Sequence, residues 1–245
     1  MDYTFLTTYT FQELKKMAKD MDLPSKRSKS DYLLEIKEAF KDYEYYKKKK
    51  MDKYTRVKQL GNKGCEGTIY LVTDHKNREF AMKTFKKTKS SNMLKNEYHL
   101  QKKASLFGIS PKVVEYDSVS KYIVMEKMDT HLIDLINKQK GHLTRNQQLQ
   151  ILEIFKKLDD IGIFHSDSNI LNYMIKDKNI YIIDFGFSKE INSALIKKLG
   201  TDKPNIKIMT LDLVVLLKEM KFQSSSWKYL KKEISKDDID YFKIE

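Results

Sequence analysis

Three polar residues define the chemistry to look for. They are Asp167 in His165-Ser166-Asp167, Asn172 five residues later, and Asp184 in Asp184-Phe185-Gly186, twelve further on. Between the last two lie the apolar runs Tyr173-Met174-Ile175 and Ile180-Tyr181-Ile182-Ile183, joined by Lys176-Asp177-Lys178-Asn179, and this pattern predicts a short β-hairpin. Such a ribbon brings both carboxylates and the amide to one end. That set suits phosphoryl transfer: one carboxylate orients an attacking hydroxyl, while an amide and a second carboxylate hold Mg²⁺ on nucleotide phosphates.

These groups need elements to position them, and the sequence supplies candidates on both sides. Leu60-Gly61-Asn62-Lys63-Gly64-Cys65-Glu66-Gly67 sits between strand-like stretches at 54–60 and 68–73. Glycines permit close backbone approach, so such a turn can lay amides over phosphates. The strand Glu79 to Phe85 carries Lys83 among apolar neighbours, where burial requires anionic partners. A helical stretch follows from Ser91 to Phe107, then two strands, Val113 to Tyr116 and Tyr122 to Glu126. Leu149, Leu152, Phe155 and Leu158 recur at helical spacing over 144–161, and Gly162 ends that run ahead of His165. A further apolar helix is predicted over 206–220.

The pattern resembles the catalytic and metal-binding loops of the protein-kinase-like superfamily. His-x-Asp-x-x-x-x-Asn, Ile-Asp-Phe-Gly and Asp-Leu-x-Val-Leu, over residues 54–222, look most like its minimal atypical members: the kinase subunit of the tRNA threonylcarbamoyladenosine complex and, less closely, the RIO kinases. The resemblance implies an α+β, two-lobed fold with a reduced C-terminal lobe, at about 51–128 and 129–245. It also implies ATP and Mg²⁺ as cofactors and a Ser/Thr protein substrate, with a nucleotide-binding scaffold of little turnover, or an ATPase, as the alternatives. Asp167 and Lys83 would be catalytic, Asn172 and Asp184 metal ligands, and His165 a structural brace. Gly61, Asn62, Gly64, Gly67, Lys83 and Glu97 would serve the phosphates, with Glu97 preferred to Glu115 and Glu79 as the partner of Lys83. Backbone groups at Glu126, Lys127 and Met128 would meet adenine, with Met125 bordering the pocket. Asp212 resembles the buried helix aspartate that braces the catalytic loop.

Departures accompany the resemblance. The glycines follow G-x-x-G-x-x-G, so either Asn62 takes the first glycine's place or the loop is one residue longer, and Glu66 replaces the usual aromatic at the tip. Ser166 stands where many kinases have Arg, and Asn169 where a Lys usually lies near the transferred phosphate. Ala-Pro-Glu is missing, and only about 20 residues separate Gly186 from the next apolar helix.

Residues 1–50 read as a separate helical module. Thr10-Phe11-Gln12-Glu13 has the form of a capping box, and Phe11, Leu14, Met17, Ala18 and Met21 recur at helical spacing up to Leu23-Pro24. A second helix, capped by Ser28 or Ser30, carries Leu33, Ile36 and Phe40. Helix, Leu-Pro, basic turn, helix resembles the SAP motif, which implies DNA binding through Lys26, Arg27 and Lys29. The Tyr43–Lys50 stretch reads as a solvated helix extension or linker.

Bulk properties bound these readings. A chain of 245 residues with 40% hydrophobic content can bury a core, and the lone Cys65 excludes a disulfide framework. No stretch reads as a signal peptide or membrane span, which points to an intracellular protein of cytoplasm or nucleus with no membrane partner. The formal charge of +13 is spread along the chain: residues 1–53 hold 13 basic and 10 acidic side chains, +3, leaving +10 for the rest, so charge alone locates no nucleic-acid site. Richness in Lys, Ile, Asn and Tyr fits an AT-rich genome, such as that of a virus or parasite.

Overall fold

The computed structural model describes residues 6–7, 9–21, 23–51, 53–61, 64 and 66–244. It divides into one unit over Met1–Thr55 and another over Arg56–Glu245.

The first unit is a helical hairpin of α1 (Phe11–Asp20) and α2 (Lys29–Met51). The capping box forms: the Thr10 amide donates to Glu13 Oε2 at 2.7 Å, and the Glu13 amide to Thr10 Oγ1 at 3.3 Å. Ser28, rather than Ser30, caps α2, accepting the Asp31 amide at 3.1 Å. Leu6, Leu14, Ala18, Tyr32 and Ile36 form its buried core, with Phe11 packed edge-on against Tyr32.

The second unit begins with a five-stranded antiparallel sheet of β1 (Thr55–Leu60), β2 (Gly67–Thr73), β3 (Glu79–Phe85), β4 (Val113–Asp117) and β5 (Tyr122–Glu126). The strand order β1-β2-β3-β5-β4 puts β3, and with it Lys83, in the middle. The strand bounds match the sequence periodicity because both faces of β5 and the inner face of β3 are buried, so alternation and apolar runs are both enforced. Helix α3 (Ser91–Leu106) lies between β3 and β4 in the chain; Ser90 caps it, and Leu94, Glu97, Leu100, Gln101 and Ala104 form its buried stripe.

Beyond Glu126 the chain is mainly helical. It passes through β6 (Thr130–His131), α4 (Leu132–Lys138), α5 (Arg145–Asp160), β7 (Ile163–Phe164), β8 (Tyr173–Lys176), β9 (Asn179–Ile182), β10 (Lys189–Glu190), α6 (Ser193–Leu199), α7 (Thr210–Glu219) and α8 (Lys236–Tyr241). This mixture of an antiparallel sheet and a helical half is the α+β fold expected. The core gathers around α5, where Phe155 and Leu158 are fully buried against Tyr173, Ile182, Phe185 and Leu213. Leu149 is an exception to the expected stripe. It is exposed, and Ile151 takes the inward position.

The predicted hairpin is β8–β9, paired from Tyr173↔Ile182 to Lys176↔Asn179. Its two-residue turn, Asp177-Lys178, has φ of 49° and 66°, the left-handed pair that matches strand twist. The helix predicted over 206–220 instead opens as a π-helical turn, Asn205–Met209, before α7 begins. Among the described residues no helix is long and apolar enough to cross a membrane.

Candidate active site

The structure joins Lys83, Glu97 and Asp184 directly, and ties Asp167 and Asn172 to the Asp184 turn through His165 and adjoining backbone. Lys83 is 8% exposed at the middle of β3, and its ammonium lies 2.7 Å from Glu97 Oε1 and 2.7 Å from Asp184 Oδ1. Burial pushes this ammonium toward neutrality, but Glu97 and Asp184 outweigh that push and raise its pKa above the ordinary lysine value. Asp184 shows the reciprocal effect. Burial pushes its carboxyl up, and Lys83 holds it below the usual carboxylate range. Of the other candidate partners, Glu115 accepts the Tyr122 hydroxyl at 2.9 Å, and Glu79 pairs with Lys127 at 2.8 Å.

Two charged residues that sequence reasoning left unassigned complete this cluster. Lys89, also buried, places Nζ 2.6 Å from Glu97 Oε2 and 2.7 Å from Glu66 Oε2, and Glu66 Oε2 stands 3.9 Å from Lys83 Nζ. Glu97 therefore holds one lysine on each oxygen. Both ammonium groups also lie over the Phe85 ring, at 5.1 and 4.8 Å. One carboxylate oxygen from each of Glu66, Glu97 and Asp184 falls within 4.8 Å of the others. No local pattern marks Lys89; a lysine six residues past Lys83, at the turn into α3, was the only signal.

The glycine-rich turn divides by role. Gly61 has φ of 66°, and the Gly64 amide donates to the Gly67 carbonyl at 2.9 Å. A Cβ at Gly67 would lie 2.1 Å from the Thr84 carbonyl oxygen, so strand packing alone demands glycine there. Asn62 lies outside the described residues.

The segment from β7 to β8 is held by different means. His165 is fully buried; its amide donates to Asn205 Oδ1 at 3.0 Å, and its carbonyl accepts the Ser188 hydroxyl at 3.1 Å. Its Nδ1 and Nε2 each face a carbonyl oxygen at 3.0 Å, that of Asp167 and of Ile183 respectively. Burial lowers the imidazole pKa against the pull of those carbonyls. The ring also packs edge-on against Phe185 at 4.9 Å, which holds the Asp184-Phe185-Gly186 turn. The bracing role expected of His165 thus has a geometric basis.

Ser166 and Asp184 both have φ of 67°, a left-handed conformation that costs an L-residue about 1–2 kcal/mol and persists where the surroundings impose it. Asp167 Oδ1 accepts the Asn169 amide at 3.1 Å, and Asn172 Nδ2 reaches the Asp167 carbonyl at 3.5 Å. The Ile183 amide donates to the Asn172 carbonyl at 2.9 Å, so Asn172 and Asp184 are tied through adjoining backbone. Asn169 spends its side chain on the Leu171 amide.

Asp212 does not brace this loop. The buried stripe of α7 runs through Thr210, Leu213, Val214 and Leu217, and Asp212 falls off it and is exposed. The brace is Asn205, at the π-helical turn. Besides accepting from His165, its Nδ2 donates to the Ile163 carbonyl at 2.7 Å and to Asp159 Oδ1 at 2.6 Å. Asp159 in turn accepts the amides of Asn205 and Ile206.

At the end of β5, Glu126 donates its amide to the Lys112 carbonyl, and its carboxylate pairs with Lys176 of β8. Met125 and Met128 are buried, with Gln101 Nε2 3.3 Å from the Met125 sulfur. In the first unit, Lys26 pairs with Glu35 at 2.8 Å, and Lys29 donates to the Thr7 carbonyl at 3.2 Å. Arg27 lies between them in the turn.

Comparison with known proteins agrees with this geometry. Residues 54–203, more than half of the chain, match the protein kinase domain. Cyclin-dependent kinase F-3 of rice is 24% identical over 152 residues, which cover 59% of this chain and 35% of that protein. A probable serine/threonine-protein kinase of Dictyostelium discoideum is 29% identical over 154 residues, 58% of this chain and 30% of its own length. Probable serine/threonine-protein kinase YbdM of Bacillus subtilis is 25% identical over 165 residues, 60% of this chain and 62% of that protein. The chain thus spans about a third of the rice and Dictyostelium proteins.

Proposed function

The chain belongs to the protein kinase family, and from that membership we propose that it is an ATP- and Mg²⁺-dependent Ser/Thr protein kinase. The observation that carries the proposal is that Lys83 donates to both Glu97 of α3 and Asp184, which lies twelve residues beyond Asn172. Lys83, held by Glu97, orients the nucleotide phosphates, and Asp167 orients the substrate hydroxyl and accepts its proton late in transfer. Asn172 and Asp184 would supply hard oxygen donors from tied positions, which fits Mg²⁺; when bound, the ion would offset phosphate charge. The Glu126 carbonyl and the Met128 backbone meet adenine. With Ser166 in place of Arg, phosphorylation of the segment after Gly186 is not the control, and with Asn169 in place of Lys, transfer is slow. Among kinases, the subgroup proposed is the minimal atypical one, acting inside the cell.

We further propose that residues 1–50 form a SAP-like module that tethers the kinase to DNA. Lys15, Lys16 and Lys19 gather along α1 around a cavity of about 580 Å³, which adds to the charge of the basic turn. Loss of duplex DNA binding on removal of residues 1–50 is the expected result.

The central test is transfer of label from radioactive ATP with Mg²⁺, to the chain itself and to generic acidic and basic proteins. Wild type should incorporate label, and Asp167→Ala and Asp184→Ala should lose at least 100-fold. Equal, background incorporation by all three would leave a nucleotide-binding scaffold as the better reading, an outcome that the side-chain commitment of Asn169 favours.

A further inference from the structure

Glu66 and Lys89 belong to no role assigned above, yet they lie at the centre of the charge cluster. Glu66 lies just ahead of β2, and its Oε2 stands 2.7 Å from Lys89 Nζ and 3.9 Å from Lys83 Nζ. It also abuts the metal loop: a Cβ on Gly186 would come within 2.6 Å of the same oxygen. A carboxylate set between two ammonium groups presents oxygens much as a phosphate does. Two lysines and three carboxylates leave the cluster with a net charge of −1, so its cations are fully engaged by the chain itself.

A polyphosphate entering here meets that negative charge first. Glu66 must leave, because its carboxylate takes the Lys89 donor a phosphate would use, and like charges repel strongly where water is largely excluded. Lys89 keeps Glu97 at 2.6 Å when Glu66 departs, and it then has a donor to give to the incoming phosphate.

The geometry points to Glu66 as an internal competitor for nucleotide phosphate, with Lys89 as the second cation that the phosphate inherits. This rests on the nucleotide-binding reading above. It makes the competent, Glu66-out state a minority, and measured affinity falls in proportion to its population. The base and sugar do not meet the latch, so adenosine is indifferent to it.

Calorimetric titration of the full chain with Mg·ATP and with adenosine tests this. Glu66→Gln keeps the size of the side chain and removes its charge; it should tighten Mg·ATP about tenfold and leave adenosine within about twofold, as expected if the competent state is roughly a tenth of the population. Gly186→Ala should give a gain of the same sign, because the added methyl displaces Glu66 while its charge remains. Adding Lys89→Met to Glu66→Gln should cancel the gain. Unchanged or weaker Mg·ATP binding by both single variants, with adenosine still bound, overturns the latch alone. A gain that survives loss of Lys89 overturns the role given to that lysine. If no protein binds either ligand, the nucleotide-binding reading fails and the latch with it.

Discussion

Lys83 and Lys89 are held by three carboxylates from three separate segments: Glu66 ahead of β2, Glu97 of α3 and Asp184 after β9. His165, some eighty residues later, is held by an amide side chain, a hydroxyl and, through its one ring N–H, one of the two backbone carbonyls that face it, none of them charged. The contrast separates two physical roles. Charged partners can be exchanged for another ion at modest net cost, whereas a set of buried neutral bonds has no replacement partner and so fixes geometry. The upper side of the cleft is built to change partners and the lower side to stay still.

The sharpest way to break this contrast is at Asn205. Replacement by Ala leaves the buried His165 amide and Ile163 carbonyl without partners, and the chain should lose about 3–4 kcal/mol of unfolding free energy, measured by denaturant titration. A loss below about 1 kcal/mol would mean the lower side is not rigidly held. Next comes Lys89→Met, expected to cost about 2 kcal/mol, because Lys83 still compensates Glu97 where an isolated buried pair would not be compensated. A cost equal to that at Asn205 would erase the distinction.

A smaller effect concerns pH. Burial keeps the His165 pKa below its ordinary 6.5 in the folded chain, so the unfolded chain binds the proton first. Stability from this residue is complete above pH 6.5 and falls as pH drops below it. His165→Asn should flatten that part of the stability profile, measured by melting temperature between pH 7.5 and 5, and an unchanged slope would contradict a neutral buried imidazole. The smallest expected change is at Ser166. Its φ of 67° favours glycine, so Ser166→Gly should stabilise by about 0.5 kcal/mol.

The same division explains what the sequence made legible. The pairing of Lys83 with Glu97 was visible because the two sit at a fixed offset across β3 and α3, and the β8–β9 hairpin was visible from alternation and turn residues. Lys89 and Glu66 were not, since their roles depend on how a turn folds over a sheet, which no periodicity encodes. Asp212 misled because an isolated aspartate in an apolar run suggests burial, whereas the helical stripe through Leu213 and Leu217 turns it outward. Asn205 was hidden one residue ahead of that run, beside Pro204, where a π-helical turn rather than a regular helix begins.

The pair between Glu126 and Lys176 carries one more consequence. With β6 hydrogen-bonded to β8, and the Asp129 amide donating to the Ile175 carbonyl at 2.8 Å, the chain leaving the five-stranded sheet is stitched to the hairpin that carries Asn172 and Asp184. Any rocking of that sheet against the helical half therefore pivots near Glu126–Thr130, with the hairpin moving as part of the lower body. Away from that pivot, the stroke of opening would be shared by the Lys83–Asp184 ion pair, the Asn96 Nδ2 bond to the Ser188 carbonyl and the Ile182 amide bond to the Ile109 carbonyl.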